Sequence, residues 1–268
     1  MITTNFHTHT LFCDGNNSPE ELVQAAIDKG FTSLGFSGHS YLEIENDFSM
    51  TKSNETEYIK EINRLKEKYK DDIKLFCGVE LDYFSPAPQH EYDYIIGSVH
   101  YILKDGQYIP VDESAETTNK AVNELYGGNW SAYAEDYFKL ATDVVEKTRP
   151  DIIGHIDLVS KFCEVSNQAL SNRYFDAAQE CIKTLIPYGI PFEINTGAMS
   201  RGYRTTPYPA IEILKLIKLY GGKIVISSDC HEKKHLDFAF DKAVELAIRC
   251  GFNEHGIITE NGIEYIPF

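Results

Sequence analysis

The chain has 268 residues, with 25 Lys and Arg against 41 Asp and Glu, a formal charge of −16. Its 43% hydrophobic and 25% charged residues are those of a folded globular protein and exclude intrinsic disorder. The acidity argues against nonspecific binding to nucleic acid or anionic membranes, which needs clustered cations, but leaves an anionic small substrate open where metal ions supply positive charge.

No apolar run approaches the roughly 18 residues of a membrane span, and Met1–Asn5 lacks the basic and apolar regions of a secretion signal. Cys13, Cys77, Cys163, Cys181, Cys230 and Cys250 form no C-x-x-C pair. Reduced thiols in a cytoplasmic chain are the simple expectation.

In chain order, short β-rich runs alternate with helical periodicity. Thr3–His7 reads as a strand, followed by a helix that Ser18, Pro19 and Glu21 cap and Gly30 ends. Ser33–Ser37 is the second strand, and Tyr58, Ile62, Leu65 and Tyr69 then share one helical face. Strands Lys74–Glu80 and Tyr94–Val99 follow. Residues 101–129 depart from the alternation, with a hairpin turning at Lys104–Gln107 and then a polar run from Asp112 to Lys120. That stretch reads either as a structureless surface excursion or as a flap beside a site. Tyr133, Tyr137, Leu140 and Val144 mark the next helix and Ile152–His155 the fifth strand. Phe175, Ala178, Ile182 and Leu185 precede strand Phe192–Asn195. The seventh strand, Lys223–Ser227, leads to Phe240, Val244 and Ala247, with Gly251 as a stop.

Seven strand–helix alternations imply parallel pairing through right-handed crossovers. Polar residues cluster at the strand ends: His7 and His9, His39, Glu80, His100, His155, Asn195, then Asp229 and His231. An open sheet would string them along an edge, whereas a barrel gathers them at one mouth. The expected fold is therefore a single α/β domain over residues 1–268, a distorted seven-stranded (β/α)7 TIM-like barrel.

Alone, His7-x-His9 is weak. Joined to Glu80, His100, His155 and Asp229 it forms a ligand set for Zn, Mn or Fe, larger than one ion can use. A second ion is expected, with Glu80 suited to bridge. Two ions about 3.5–4 Å apart can activate a water and stabilise charge on a phosphoryl oxygen. Hydrolysis of a phosphate ester follows, with amide hydrolysis also open from the ligands alone. Arg201 and Arg204, in the loop after the sixth strand, suit a phosphate dianion.

The runs Phe6-His7-Thr8-His9, Gly38-His39-Ser40, Gly78-Val79-Glu80-Leu81-Asp82-Tyr83, Ile96-Gly97-Ser98-Val99-His100, Ile153-Gly154-His155-Ile156-Asp157, Phe192-Glu193-Ile194-Asn195-Thr196 and Ser228-Asp229-Cys230-His231 resemble, in order, the motifs of the polymerase-and-histidinol-phosphatase (PHP) superfamily. Within it the chain is similar to the monofunctional histidinol-phosphate phosphatases. The resemblance implies a centre of two or three divalent ions. His7, His9, Glu80 and Asp229 would hold one, Glu80, His100 and His155 a second, and Asp14, His39 and His231 a third. Gly38 departs from the pattern, because an aspartate frequently precedes the histidine there.

The resemblance further implies hydrolysis of histidinol phosphate by a metal-bridging hydroxide, with Arg204 and Arg201 on the phosphoryl oxygens. Asp229, His231 or a metal-bound water would protonate the leaving alkoxide. Ser40 is a candidate for a phosphate oxygen. Glu43, with Glu45 and Asp47, is a candidate for the substrate ammonium. Asp157 is a candidate to fix a histidine tautomer. His90, His235 and His255 are expected to be exposed or locally satisfied. A nucleotide or phosphotyrosine phosphatase, and a noncatalytic metal-binding protein, are the other readings of the same ligands.

Overall fold

The computed structural model describes residues 2–44 and 46–268. Its strands are β1 (Thr4–Asn5), β2 (Ser33–Phe36), β3 (Lys74–Asp82), β4 (Tyr94–Ser98), β5 (Tyr101–Lys104), β6 (Gln107–Pro110), β7 (Ile152–Ile153), β8 (Phe192–Asn195), β9 (Ile224–Ser227), β10 (Glu254–Thr259) and β11 (Gly262–Pro267). One sheet runs β1-β2-β3-β4-β7-β8-β9-β10-β11. The seven expected strands all form, and each lies parallel to the next.

The two ends of this run approach each other. Just past β1 and β9, Thr8 and Cys230 make an isolated parallel bridge. His9 N donates to Cys230 O at 2.8 Å, and Cys230 N to His7 O at 3.0 Å.

Several elements differ from expectation. β10 and β11 form an antiparallel hairpin added to β9, with β10 parallel to β9 at Gly256 and Val225. Its signal was present in Asn261-Gly262 between two β-rich runs. Residues 101–129 are not structureless. The β5–β6 hairpin turns through Asp105 and Gly106, at φ +49° and +78°. The polar run after it folds into helix Ala115–Tyr126, capped by Ser114. The stripe through Val144 also breaks, because helix Trp130–Thr142 ends before a separate short helix, Val144–Thr148.

Other helices follow the sequence closely. Ser18 caps helix Pro19–Asp28 with a complete capping box. Tyr58, Ile62 and Leu65 are fully buried on helix Lys52–Lys68. Among the described residues no helix is long and apolar enough to cross a membrane. All six cysteines are free.

Tyr94 packs in an apolar cluster beneath the polar strand ends. Its hydroxyl donates to Phe6 O at 2.6 Å and lies 3.0 Å from Phe36 O, with Phe6 and Phe76 in the same apolar cluster. The ring lies directly over Gly78 and Gly35. A Cβ on Gly78 would fall 2.3 Å from the ring, and one on Gly35 would fall 2.4 Å from the hydroxyl. Gly78→Ala should therefore displace Tyr94 and cost about 1–3 kcal/mol or more, as overpacking does. Urea denaturation should show a lower midpoint, and an unchanged midpoint would contradict this packing.

Candidate metal centre

The strand ends bring nine ligand-type side chains together, arranged as groups able to hold metal ions: His9, Asp14, His39 and His231; His7, His155 and Asp229; His7, His9 and Glu80; His39, Glu80 and His100. His7 and His9 reach one centre because the chain leaves the regular ladder after Asn5. Glu80 stands on β3, which runs two residues past the expected end to Asp82, and is 1% exposed. Its Oε1 lies 2.9 Å from His155 Nε2 and 3.3 Å from His100 Nε2. Its Oε2 lies 3.0 Å from His39 Nδ1, 3.2 Å from His7 Nε2 and 3.6 Å from His9 Nε2. Asp229 Oδ1 is 3.2 Å from His9 Nε2, and Asp14 Oδ2 is 3.0 Å from His231 Nε2.

Donors bonded at about 2.1 Å to a tetrahedral ion stand about 3.4 Å apart, so these spacings suit a shared cation. The hydrogen bonding points the same way. His7 Nε2, His9 Nε2, Asp14 Oδ1 and Glu80 Oε2 are buried with no hydrogen-bond partner. Buried polar atoms are ordinarily paired, and a metal ion would use these four. Asp229 takes φ +48°, a left-handed corner that aspartate tolerates better than most residues.

Burial by itself would lower the His7 imidazole, but Glu193, Glu80 and Asp229 raise it to about 10. Burial likewise opposes the charge on His9 and His100, and neighbouring acceptors and carboxylates raise both well above the ordinary value. Burial would raise Glu80 and Asp229, yet the surrounding cations hold both well below the carboxylate range.

The centre opens into a cavity of about 770 Å³. The PHP domain family matches residues 5–197. The chain belongs to the PHP family. It is 27% identical to the histidinol-phosphatase of Lactococcus lactis over 95% of this chain and 93% of that one. It is 24% identical to the histidinol-phosphatase of Bacillus subtilis over 89% and 97%. A crystal structure of the Lactococcus lactis histidinol phosphate phosphatase, complexed with zinc, L-histidinol and phosphate, superposes with a TM-score of 0.73 at 22% identity over 98% of both chains. A Listeria monocytogenes structure gives 0.78 at 22% identity, over 89% of this chain and 99% of its own. At these identities the structures speak for the fold.

In this PHP chain the family match stops short of Arg201, Asp229 and His231, all of which line the cavity. Arg204 does not line it. Its Nη1 donates to Ser160 Oγ at 2.5 Å, it lies 3.8 Å from Asp157 Oδ2, and it stacks on Tyr208. Arg204, expected on the phosphate, is held among these buried partners instead of facing the cavity. Ser40 turns its Oγ to Ser85 Oγ at 2.7 Å, away from the cavity. Glu43 is exposed and does not line it, Asp47 does, and Glu45 lies outside the described residues. Asp157 accepts from Tyr174 and from Ala210 N rather than from a histidine.

His235, expected to be incidental, lines the cavity rim. His255 is buried against Phe268, with Nδ1 unpartnered. The hairpin supplies Tyr101, Tyr108 and Pro110 to the wall, so residues 101–129 do border the site.

The sequence reading assigned no role to Lys161, Asp112 and Asp82. Lys161 lies in a short turn, lines the cavity and donates to Asp112 O at 2.8 Å. Asp82 accepts from His100 Nδ1 at 3.0 Å. The only advance signal was a polar residue closing an apolar run.

Because His7, His9 and His100 are raised in the metal-free protein, they carry protons at neutral pH that a cation must displace. Zinc binding should release protons, and affinity should rise with pH until His7 loses its proton at about 10. Calorimetry in buffers of different ionisation enthalpy checks this; no buffer dependence would contradict it.

Proposed function

We propose that this protein is a metal-dependent phosphomonoesterase that hydrolyses L-histidinol phosphate to L-histidinol and phosphate. The observation that carries the reading is a cluster of nine ligand-type side chains, seven of which line one cavity together with two basic side chains, Arg201 and Lys161. Two curated relatives matched along nearly their whole lengths carry the histidinol-phosphatase name.

In this reading one ion is held by His7, His9, Glu80 and Asp229, a second by Glu80, His100 and His155, and a third by Asp14, His39 and His231. Zn, Mn and Fe suit such nitrogen and oxygen donors. Bound there, divalent ions supply an activated water and neutralise charge on the phosphoryl group.

The chain's own residues do the rest. Arg201 donates to Asp229 Oδ2 at 3.1 Å and lies 2.9 Å from His231 Nδ1. Its Nε is buried without a partner, leaving a donor for a phosphate oxygen. Lys161 takes the second phosphate position that Arg204 leaves empty, since its ammonium has more donors than Asp112 uses. Asp229, held ionised by its neighbours, would take a proton from the attacking water, and it or His231 would pass that proton to the departing alkoxide. The hairpin wall limits the cavity to a small substrate.

The Thr8–Cys230 bridge supports closure of the seven parallel strands into a distorted barrel, with residues 1–268 as one domain. The charge of −16 disfavours nucleic acid, and the free cysteines fit a reducing, cytoplasmic setting.

The deciding experiment compares kcat/KM for histidinol phosphate, p-nitrophenyl phosphate and a mononucleotide on zinc- or manganese-loaded protein. Histidinol phosphate should lead by at least about tenfold, and chelation should abolish turnover; equal rates would withdraw the substrate assignment. Arg201→Ala should lower kcat/KM by about 10²-fold. Arg204→Ala should mainly cost stability, about 3 kcal/mol, by stranding buried Asp157. The reverse pattern would restore Arg204 to the phosphate site.

A further inference from the structure

Glu193 is a fully buried carboxylate that belongs to none of the ligand groups. It stands on β8 with its side chain under the metal centre. Its Oε1 accepts from His7 Nδ1 at 2.6 Å and from Ser227 Oγ. Its Oε2 accepts from His155 N at 2.9 Å and from Asn195 Nδ2 at 3.0 Å. A carboxylate offers about four lone-pair sites. The four donors fill them, so Glu193 has no capacity left to bind an ion itself.

The donors come from separate strand ends. His7 follows β1, His155 follows β7, Asn195 ends β8 and Ser227 ends β9. One side chain therefore ties the four neighbouring ends on the side where Thr8 meets Cys230. The consequence for the centre is directional. Once a cation displaces the Nε2 proton, His7 keeps its proton on Nδ1 and turns the bare Nε2 toward the ion, between Glu80 Oε2 at 3.2 Å and Asp229 Oδ1 at 3.8 Å. An acceptor on the far nitrogen fixes the ring orientation and strengthens the ligating nitrogen. On the other side, holding the His155 backbone aims its Nε2 at Glu80 Oε1.

We propose that Glu193 is a positioning residue that sets the affinity and occupancy of the ion held through His7. The inference rests on the metal reading above. Glu193→Gln is nearly isosteric but replaces one acceptor oxygen with an amino group, leaving two of the four donors unpaired. Metal-free wild type and variant would be titrated with zinc against a chromophoric chelator, with bound ions counted after gel filtration and folding checked by circular dichroism. Zinc affinity should fall by about 10–100-fold, with at least one fewer ion retained by a folded protein.

A wild type that binds no zinc would remove the metal reading and this inference with it. A wild type that binds zinc beside a variant that binds the same number of ions equally tightly would overturn only the role of Glu193. If the variant does not fold, nitrogen-15 NMR of histidine-labelled, zinc-loaded wild type decides. The proton of His7 should sit on Nδ1; a proton on Nε2 would refute the proposal.

Discussion

Glu80 is almost wholly buried, with imidazoles against both carboxylate oxygens: His100 and His155 on one, His7, His9 and His39 on the other. An isolated carboxylate in such a place would face a desolvation penalty of several kcal/mol. Opposite charge must sit beside it. In the metal-free protein protons on His7, His9 and His100 supply that charge, and bound divalent ions would take their place. The arrangement ties folding, proton content and metal content to one group, and the other ligands are placed by their distance from it.

Around this centre lies a ring of acceptors that hold the backs of the candidate ligands. Asp82 holds both the backbone and Nδ1 of His100, while Glu193 holds His7 and the backbone of His155. Farther out, Asp157 gathers Arg204, Ser160, Tyr174 and Ala210 N around the turn that carries Lys161. Short strands thus hold ligands precisely, because side-chain hydrogen bonds supply the rigidity that two-residue ladders such as β1 and β7 lack.

The cluster of candidate ligands was legible because a histidine or carboxylate at the end of an apolar strand has few other reasons to be there. Glu193 lies inside β8, between Phe192 and Ile194, and periodicity cannot say whether such a group faces the ions or the backs of their ligands. Arg201 and Arg204 are three positions apart, and only the turn after β8 decides that one faces the cavity and the other is buried on Asp157. Ser40 hydrogen-bonds Ser85, distant in sequence, and does not line the cavity. Helix Ala115–Tyr126 was hidden by its composition: its buried face is only Thr118, Ala121 and Val122. Long-range partners of this kind leave no local trace.

Asp229 combines a ligand position with a left-handed backbone. Glycine would relax the corner but bring no donor atom, and a β-branched residue would resist the conformation. Asparagine alone among ordinary replacements keeps both the bend and an oxygen. Genetic drift at this corner is thereby channelled, so that descendants of this chain would lose their chemistry there well before they lost their shape.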